Sequence, residues 1–316
     1  MSNKICLVIL AAGQGTRMKI GMPKPLVPIM NRAILDYVLD TCLDFKRQKA
    51  QDALVSLVIG HQSELMTSHL EQNYANEKFH ITRQQQQLGT ADAVKSFLNQ
   101  CPDVLSYKYT FILSGDVPMV SAEHLEGIYR EISTRNLKAV VATVTTDNPM
   151  GYGRIQLHDV GLSIVEEKDA SPEIKRIKNI NTGLYVFETQ YLKDCIGEIS
   201  NHNKSHEFYL TDAFQSGRAV CAVNFDHGED LLGINTLEQL EETSKRLNRR
   251  NLIKLSLEGV RFWDFASTFI ESSVAIASGT VIYPGVIIEG NSKIGHGCTI
   301  GPYCHLKNVE LGDCIE

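Results

Sequence analysis

No block of lysines and arginines interrupts this sequence, and its eight cysteines include no Cys-x-x-Cys pair. No apolar run approaches the roughly 18 residues that cross a bilayer. The first absence, with a formal net charge of −6, argues against a nucleic-acid backbone as partner. The missing apolar run, with no basic-then-apolar leader at the start, predicts a cytoplasmic protein without membrane contact. The scattered thiols read as small apolar fillers, Cys298 and Cys304 included, although those two share a repeat phase. What is plentiful is apolar side chain, 43% of 316 residues, enough for two domains with sizeable cores.

The stretch Leu7-Val8-Ile9-Leu10-Ala11-Ala12-Gly13-Gln14-Gly15-Thr16-Arg17-Met18 organises the rest. An apolar run without alternation predicts a strand buried on both faces. It breaks into Gly13 and Gly15, which let backbone turn tightly and approach a ligand. Two familiar glycine loops are excluded. A dinucleotide loop needs a third glycine where Met18 stands, and Asp36, at about the right distance for its acid, lies in a stretch of helical spacing. A phosphate loop of the ATPase kind needs Gly-Lys-Ser/Thr, which is absent. Free N–H groups in the loop favour an anion. Arg17, Lys19 and Lys24, the last in Pro23-Lys24, add cations with no nearby acid. The combination suits a phosphorylated nucleotide; a plain strand-turn is the competing reading.

Residues 33–45 have helical spacing and 53–61 read as a second strand, where His61 is more readily structural than a ligand. Four glutamines, Gln84 to Gln87, lead into Leu88-Gly89-Thr90 and a helix. Their amides suit the edge of a base, and a polar loop with a cap at Thr90 explains them equally well. The strand Tyr109-Thr110-Phe111-Ile112-Leu113-Ser114 closes on Gly115-Asp116-Val117-Pro118. In an open parallel sheet ligands lie beyond the carboxyl ends of strands, so Asp116 faces the same crevice as Gly13 and Lys24. A magnesium ligand is the favoured role there, a helix cap the alternative. Strands alternating with helical stretches predict an α/β domain, a doubly wound, mostly parallel, Rossmann-like sheet over residues 1–235.

Further on, Gly151-Tyr152-Gly153-Arg154, Glu166-Glu167-Lys168-Asp169 and Asn181-Thr182-Gly183 place a carboxylate, an amide and glycines on strand edges, a set suited to sugar hydroxyls. Each alone is also an ordinary polar rim. Residues 207–212 are expected to open a helix and 231–235 to form a last strand ending in Asn235. Residues 236–257 predict a charged connecting arm helix with Leu237, Leu240 and Leu247 along one side. From Ile270 an aliphatic recurs every six residues at 276, 282, 288, 294, 300 and 306, then Leu311 follows after five. Strict hexads predict a parallel β-helix of three faces per coil, about two and a half coils within 258–316. The repeat stops in mid-coil with no evident cap, so further coils are expected.

Taken together and in order, these motifs resemble the bacterial bifunctional N-acetylglucosamine-1-phosphate uridyltransferase/glucosamine-1-phosphate acetyltransferases. The resemblance implies a nucleotidyltransferase domain, an arm helix and a left-handed β-helix. It implies that Leu10, Ala11, Ala12 and Gly13, with Ser114 and Gly115, cradle UTP, and that Gln84, Gly89 and Thr90 read uracil. Gly153, Glu166, Asn181 and Asn235 would form the sugar site for N-acetylglucosamine-1-phosphate, and Arg17, Lys24 and Asp116 the catalytic group. Asp116 and Asn235 would hold Mg²⁺, and the β-helix would pack as a homotrimer. The family's acetyltransferase residues lie in coils beyond residue 316, so acetyl transfer is expected to be absent from this chain. One departure stands out. Lys24-Pro25-Leu26-Val27-Pro28 replaces the family's usual Lys-x-Leu-His and is similar to the loop of thymidylyl- and glucose-1-phosphate uridylyltransferases. Alternatives from other classes are a transferase for another hexose-1-phosphate, and a non-catalytic nucleotide-sugar-binding or assembly subunit.

Overall fold

Strand β1 (Ile5–Leu10) is six apolar residues in a row, five of them buried. Successive side chains point to opposite faces of a strand. Ile5, Leu7 and Ile9 enter one core layer with Leu35, Val38 and Ile128, while Cys6 and Val8 enter the other with Val94, Phe97 and Leu192. A strand covered on both faces needs no polar alternation, which is why the run is continuous. The computed structural model describes residues 4–13, 18, 20–60, 62–226 and 228–316. The chain divides into two units, Met1–Val27 with Ala33–Gly233, and Pro28–Arg32 with Ile234–Glu316.

After β1, two short strands β2 (Pro28–Ile29) and β3 (Arg32–Ala33) precede helix α1 (Ile34–Lys49). Asp36 lies in that helix, where its carboxylate accepts from the Ala33 N–H at 3.0 Å and pairs with His69 at 2.6 Å. There follow β4 (Leu54–Ile59), α2 (Ser63–Asn73), β5 (His80–Arg83), α3 (Thr90–Gln100), β6 (Tyr109–Ser114), α4 (Ala122–Arg135) and β7 (Ala139–Thr145). Then come β8 (Arg154–Leu157), β9 (Leu162–Val165), β10 (Asn179–Glu188), α5 (Thr189–Glu198) and β11 (Val220–Asn224). Among the described residues these form one sheet in the order β11-β7-β10-β6-β1-β4-β5, with β8 paired to β10 and β9. The sheet is the mostly parallel one expected, with β10 inserted antiparallel between β6 and β7. Register decides where the site lies. Leu10 stands opposite both Val58 and Ser114, and Ile59 opposite Arg83. The segments beginning at Ala11, Gly60, Gln84 and Gly115 therefore leave the sheet along one edge, the carboxyl edge of its parallel strands.

Two sequence expectations in this unit are corrected. Residues 207–212 do not open an α-helix; a short 3-10 turn covers Leu210–Ala213. The backbone there is already committed, since the Phe208 N–H donates to the Leu88 carbonyl at 2.7 Å and the Phe208 carbonyl accepts from Ala91 at 2.9 Å. Nor do residues 231–235 form a strand. A 3-10 turn covers Gly228–Leu231, and the Asn235 N–H donates to the Gln239 side chain at 2.7 Å instead of to a neighbouring strand.

In the second unit, α6 (Leu237–Leu257) starts at Thr236, whose hydroxyl accepts from the Gln239 N–H at 3.1 Å, a cap that satisfies one orphan donor of the first turn. Its buried residues are Asn248, Leu252 and Leu255; of the leucines along one side, Leu240 and Leu247 are half-buried and Leu237 is 56% exposed. The reason is a polar zipper. Asn248 donates to the Thr268 carbonyl at 2.7 Å and accepts from the Ile270 N–H at 3.1 Å, which turns its own side of the helix onto the coils.

The hexads give three stacked three-stranded parallel sheets. They are β12 (Arg261–Phe262) with β15 (Val281–Ile282) and β18 (Thr299–Ile300); β13 (Phe269–Ile270) with β16 (Ile287–Glu289) and β19 (His305–Lys307); and β14 (Ala275–Ile276) with β17 (Lys293–Ile294) and β20 (Glu310–Leu311). Ile270, Ile288 and Leu306 stack in one column and Ile276, Ile294 and Leu311 in another, so the five-residue step is absorbed within a single coil. This is the arrangement of a left-handed β-helix. The segment Pro28–Arg32 belongs to the same unit. Its Asn31 amide donates to Glu289 at 2.9 Å and also to Glu271, so one side chain joins carboxylates of two successive coils.

Candidate active site

The carboxyl edge of β1 is fastened from both sides. The Ala11 N–H donates to the Val58 carbonyl at 2.8 Å, and the Gly115 N–H donates to the Leu10 carbonyl at 2.9 Å. Gly115 has to be small, because a Cβ there would stand 3.1 Å from the Leu10 oxygen. The Gln87 side chain donates to the Ala12 carbonyl. Ala12 is thereby held at its carbonyl, and among the described residues nothing lies within 4 Å of where a Gly13 side chain would be. Arg17, Lys19 and His61 lie outside the described residues.

Pro23 fixes the entry to a 3-10 turn, Lys24–Leu26, that carries the Lys24 side chain inward to 8% exposure. Its ammonium pairs with Asp116 Oδ2. The other carboxylate oxygen, Oδ1, accepts from the Ser114 hydroxyl at 2.7 Å. Gly233 closes the same spot, since a Cβ there would be 3.1 Å from Asp116 Oδ1. Asp116 is not a helix cap; α4 takes Ser121 for that purpose. Lys24 and Asp116, 92 residues apart in sequence, therefore meet as the crevice reading expected.

Gln84 is buried at 6% exposure, and its amide donates to Asp92 at 2.7 Å and to the Gly89 carbonyl at 3.4 Å. Thr90 does not cap α3. Gly89 occupies the N-cap, and the Thr90 hydroxyl accepts from the Leu210 N–H at 3.0 Å. Gly89 has φ +125°, and a Cβ there would stand 2.7 Å from the Phe208 nitrogen, which is backbone and cannot swing aside. Gly89→Ala combines a strained φ with an overlap, each costing about 1–3 kcal/mol. We expect a clear fall in the urea midpoint, and a midpoint equal to wild type would contradict this packing.

Gly153, Glu166 and Asn181 lie together. A Cβ on Gly153 would stand 3.4 Å from Asn181 Cβ and 3.5 Å from Glu166 Oε2. The Asn181 N–H donates to the Gly153 carbonyl at 2.9 Å. The Asn181 side chain accepts from the Gly183 N–H at 3.1 Å and donates to the Tyr185 hydroxyl at 2.7 Å. Gly183 sits at a bulge in β10 with φ +79°, where a Cβ would lie 3.7 Å from Ser114 Cβ. The Asn181 loop and the Ser114–Asp116 loop are thus neighbours. Glu166 accepts from the Thr211 hydroxyl at 3.0 Å. Thr211, Tyr185 and Gly233 were not nominated from sequence, because each acts through a fold contact, and Gln87, read with its neighbours as an amide for a base edge, donates to the Ala12 carbonyl.

Burial pushes the Glu166 carboxyl above its ordinary range, helped by the charges of Asp212, Asp169 and Glu207 and opposed by the Thr211 hydrogen bond. A native pKa above the unfolded value means that the folded state holds the proton more tightly. Stability from this group is then complete below the unfolded pKa and is lost as pH rises through the native value. The thermal midpoint of wild type relative to Glu166→Gln should therefore fall from about pH 4 upward; a constant difference would contradict the assignment. For Glu167, burial works upward but is outweighed by hydrogen bonds from Arg154 and Gly151 and by the charges of Arg154 and Lys175, so its carboxyl lies below the ordinary range.

A family profile described as nucleotidyl transferase matches residues 6–228. The chain belongs to the nucleotidyl transferase family. It is 35% identical over 313 residues to the Bifunctional protein GlmU of Fervidobacterium nodosum, covering 98% of this chain and 65% of that protein. The same-named protein of Geobacillus sp. is 36% identical over 314 residues, covering 97% and 65%. That of Thermotoga maritima is 35% identical over 312 residues, covering 98% and 66%. The chain thus spans about two thirds of the length of these curated relatives and is a GlmU-like member of the nucleotidyl transferase family.

Members of a nucleotidyl transferase family work on phosphates, and the donors here suit a cation that phosphates help to hold. Among the described residues no group of three or more His, Cys, Asp or Glu could hold a metal ion. Asp116 offers one carboxylate whose Lys24 partner leaves the pair near neutral. Magnesium fits such a set, because it keeps several waters and takes few protein ligands beside phosphate oxygens. Asn235, the other nominated ligand, belongs to the second unit, whose long stretch begins at Ile234. No described helix is long and apolar enough to cross a membrane.

Proposed function

We propose that this chain transfers a uridylyl group from UTP to N-acetylglucosamine-1-phosphate, releasing pyrophosphate, with Asp116 as a ligand of Mg²⁺. The observation that carries the reading is the adjacency, within one unit, of the Lys24–Asp116 pair to the Gly153–Glu166–Asn181 cluster through Ser114 and Gly183. The attacking phosphate oxygen is already ionised near neutral pH, so the reaction asks for alignment and charge neutralisation rather than a base. Leu10, Ala11, Ala12, Gly13 and Gly115 supply backbone for the triphosphate, and Lys24 and Arg17 supply positive charge where it accumulates. Mg²⁺, when bound, would supply a further neutralising charge on the phosphates. Gln84 spends its N–H groups on Asp92 and Gly89, so its carbonyl oxygen is the edge left to accept from a pyrimidine imide, beside Gly89 and Thr90. Glu166 and Asn181 would accept from and donate to sugar hydroxyls.

One feature favours a second reading. The segment Lys24-Pro25-Leu26-Val27-Pro28 suits a glucose-1-phosphate uridylyl- or thymidylyltransferase. A pyrophosphate-release screen of UTP and dTTP against a panel of hexose-1-phosphates with Mg²⁺ separates them. Fastest release with UTP and N-acetylglucosamine-1-phosphate is expected; preference for glucose-1-phosphate replaces the first reading with the second, and no release with any pair overturns both. Packing of the β-helix as a trimer is part of the same proposal, and sedimentation over a range of concentrations tests it.

A further inference from the structure

We propose that Arg154 and Glu167 are positioning residues for the acceptor, fixing the Gly153–Glu166–Asn181 cluster from its far side without touching the substrate. Arg154 heads the largest side chains that are fully buried, at 1% exposure. An arginine so deep in a core is expensive and needs a reason. Its Nη2 lies 2.8 Å from Glu167 Oε2, its Nη1 donates to the Tyr152 carbonyl, and Nη2 also reaches the Lys175 carbonyl at 3.5 Å. Its Nε finds no partner among the described residues. Glu167 in turn accepts from the Gly151 N–H at 3.2 Å and pairs with Lys175 at 3.5 Å. One ion pair, its guanidinium buried and its carboxylate half-buried, thus gathers the Gly151–Gly153 loop, the Glu166–Glu167 segment and the turn Ile174–Arg176.

Strand register explains how this reaches the acceptor. Arg154 is opposite Val165 in β9 and opposite Ile180 in β10. The next position on each of the three strands is Gly153, Glu166 and Asn181, and the Asn181 N–H already donates to the Gly153 carbonyl at 2.9 Å. Successive residues of a strand face opposite ways. The ion pair therefore lies behind the residues nominated for the sugar and holds the backbone of two of the three strands. Gly151 takes the left-handed φ of +88° within this loop, and Glu167 is what fastens its N–H.

This inference rests on the sugar-binding reading of the cluster, so its test has a readout that does not need turnover. Replacing one partner leaves a buried charge and endangers the fold, whereas replacing both by apolar groups of similar size is often tolerated. The informative variant is Arg154→Met/Glu167→Met, compared with Glu167→Gln and wild type. We expect the double variant to keep a thermal midpoint near wild type and a UTP KM and kcat within about twofold. Its KM for the sugar-1-phosphate should rise about tenfold or more, in line with the sensitivity of reactions to small displacements of bound groups. Glu167→Gln should fall between the two. Amide hydrogen exchange over 151–154 should quicken in the double variant. A folded double variant with unchanged sugar-phosphate KM overturns the proposal. Unchanged exchange at 151–154 overturns it too, whether or not the protein turns over any sugar phosphate. Wild type that turns over none, with faster exchange in the variant, removes the sugar reading but leaves the Arg154–Glu167 pair as the support of this loop.

Discussion

Replacing Lys24 by alanine is expected to lower turnover by about 10²-fold or more, the range found when one preorganised electrostatic stabiliser is removed. The side chain has little freedom to be substituted by another. Pro23 and the 3-10 turn direct it inward, and the Asp116 carboxylate holds its ammonium at the edge of β6. A cation fixed in advance costs no reorganisation when charge builds on the phosphates. Lys24→Met, which keeps the apolar stem, should be equally slow, and that separates lost charge from lost packing. Pyrophosphate release within a few-fold of wild type in both variants would remove Lys24 from the catalytic group.

Asp116→Ala should be at least as damaging, by about 10²–10³-fold in turnover. Two functions end at once. The Lys24 ammonium loses its partner, and the carboxylate proposed to hold Mg²⁺ is gone. The variants differ in their dependence on metal. Asp116→Asn keeps an acceptor for the Ser114 hydroxyl but lacks the charge, so its half-saturating Mg²⁺ concentration should rise by about tenfold or more. Lys24→Ala should leave that concentration close to wild type. Equal metal dependence in all three proteins would argue that Asp116 serves only as the counter-charge of Lys24.

What the sequence made legible follows from how local each signal is. Continuous apolar runs located β1, β4 and β6, and strict hexads located the coil strands from β13 onward though not β12, because burial in these elements repeats along the chain itself. The neighbourhood of Lys24 and Asp116 was legible too, through the rule that loops at the carboxyl edge of a parallel sheet converge. The failures share one cause. Residues 207–212 have helical composition, but their hydrogen bonds go to the Leu88–Ala91 segment more than a hundred residues earlier. The arm helix itself was legible, but not the burial of Asn248, whose amide partners lie about twenty residues on. Thr90 looks like a cap until Leu210 takes its hydroxyl. Arg154 was visible within Gly-Tyr-Gly-Arg, and nothing in the string discloses that its guanidinium is buried against Glu167. Partners distant in sequence override local preference wherever a polar group must be satisfied in the interior.

The hairpin turn around Asn31 has a consequence for modularity. The second unit is assembled from two stretches, five residues from near the start of the chain and the long C-terminal part, so the polypeptide passes between units three times. Severing the backbone after Gly233 would consequently not yield two self-sufficient fragments: the N-terminal product would carry away the amide that Glu271 and Glu289 grip. Exchanging the solenoid portion with that of a relative has to respect the same bookkeeping, transplanting Pro28–Arg32 together with the coils that receive it.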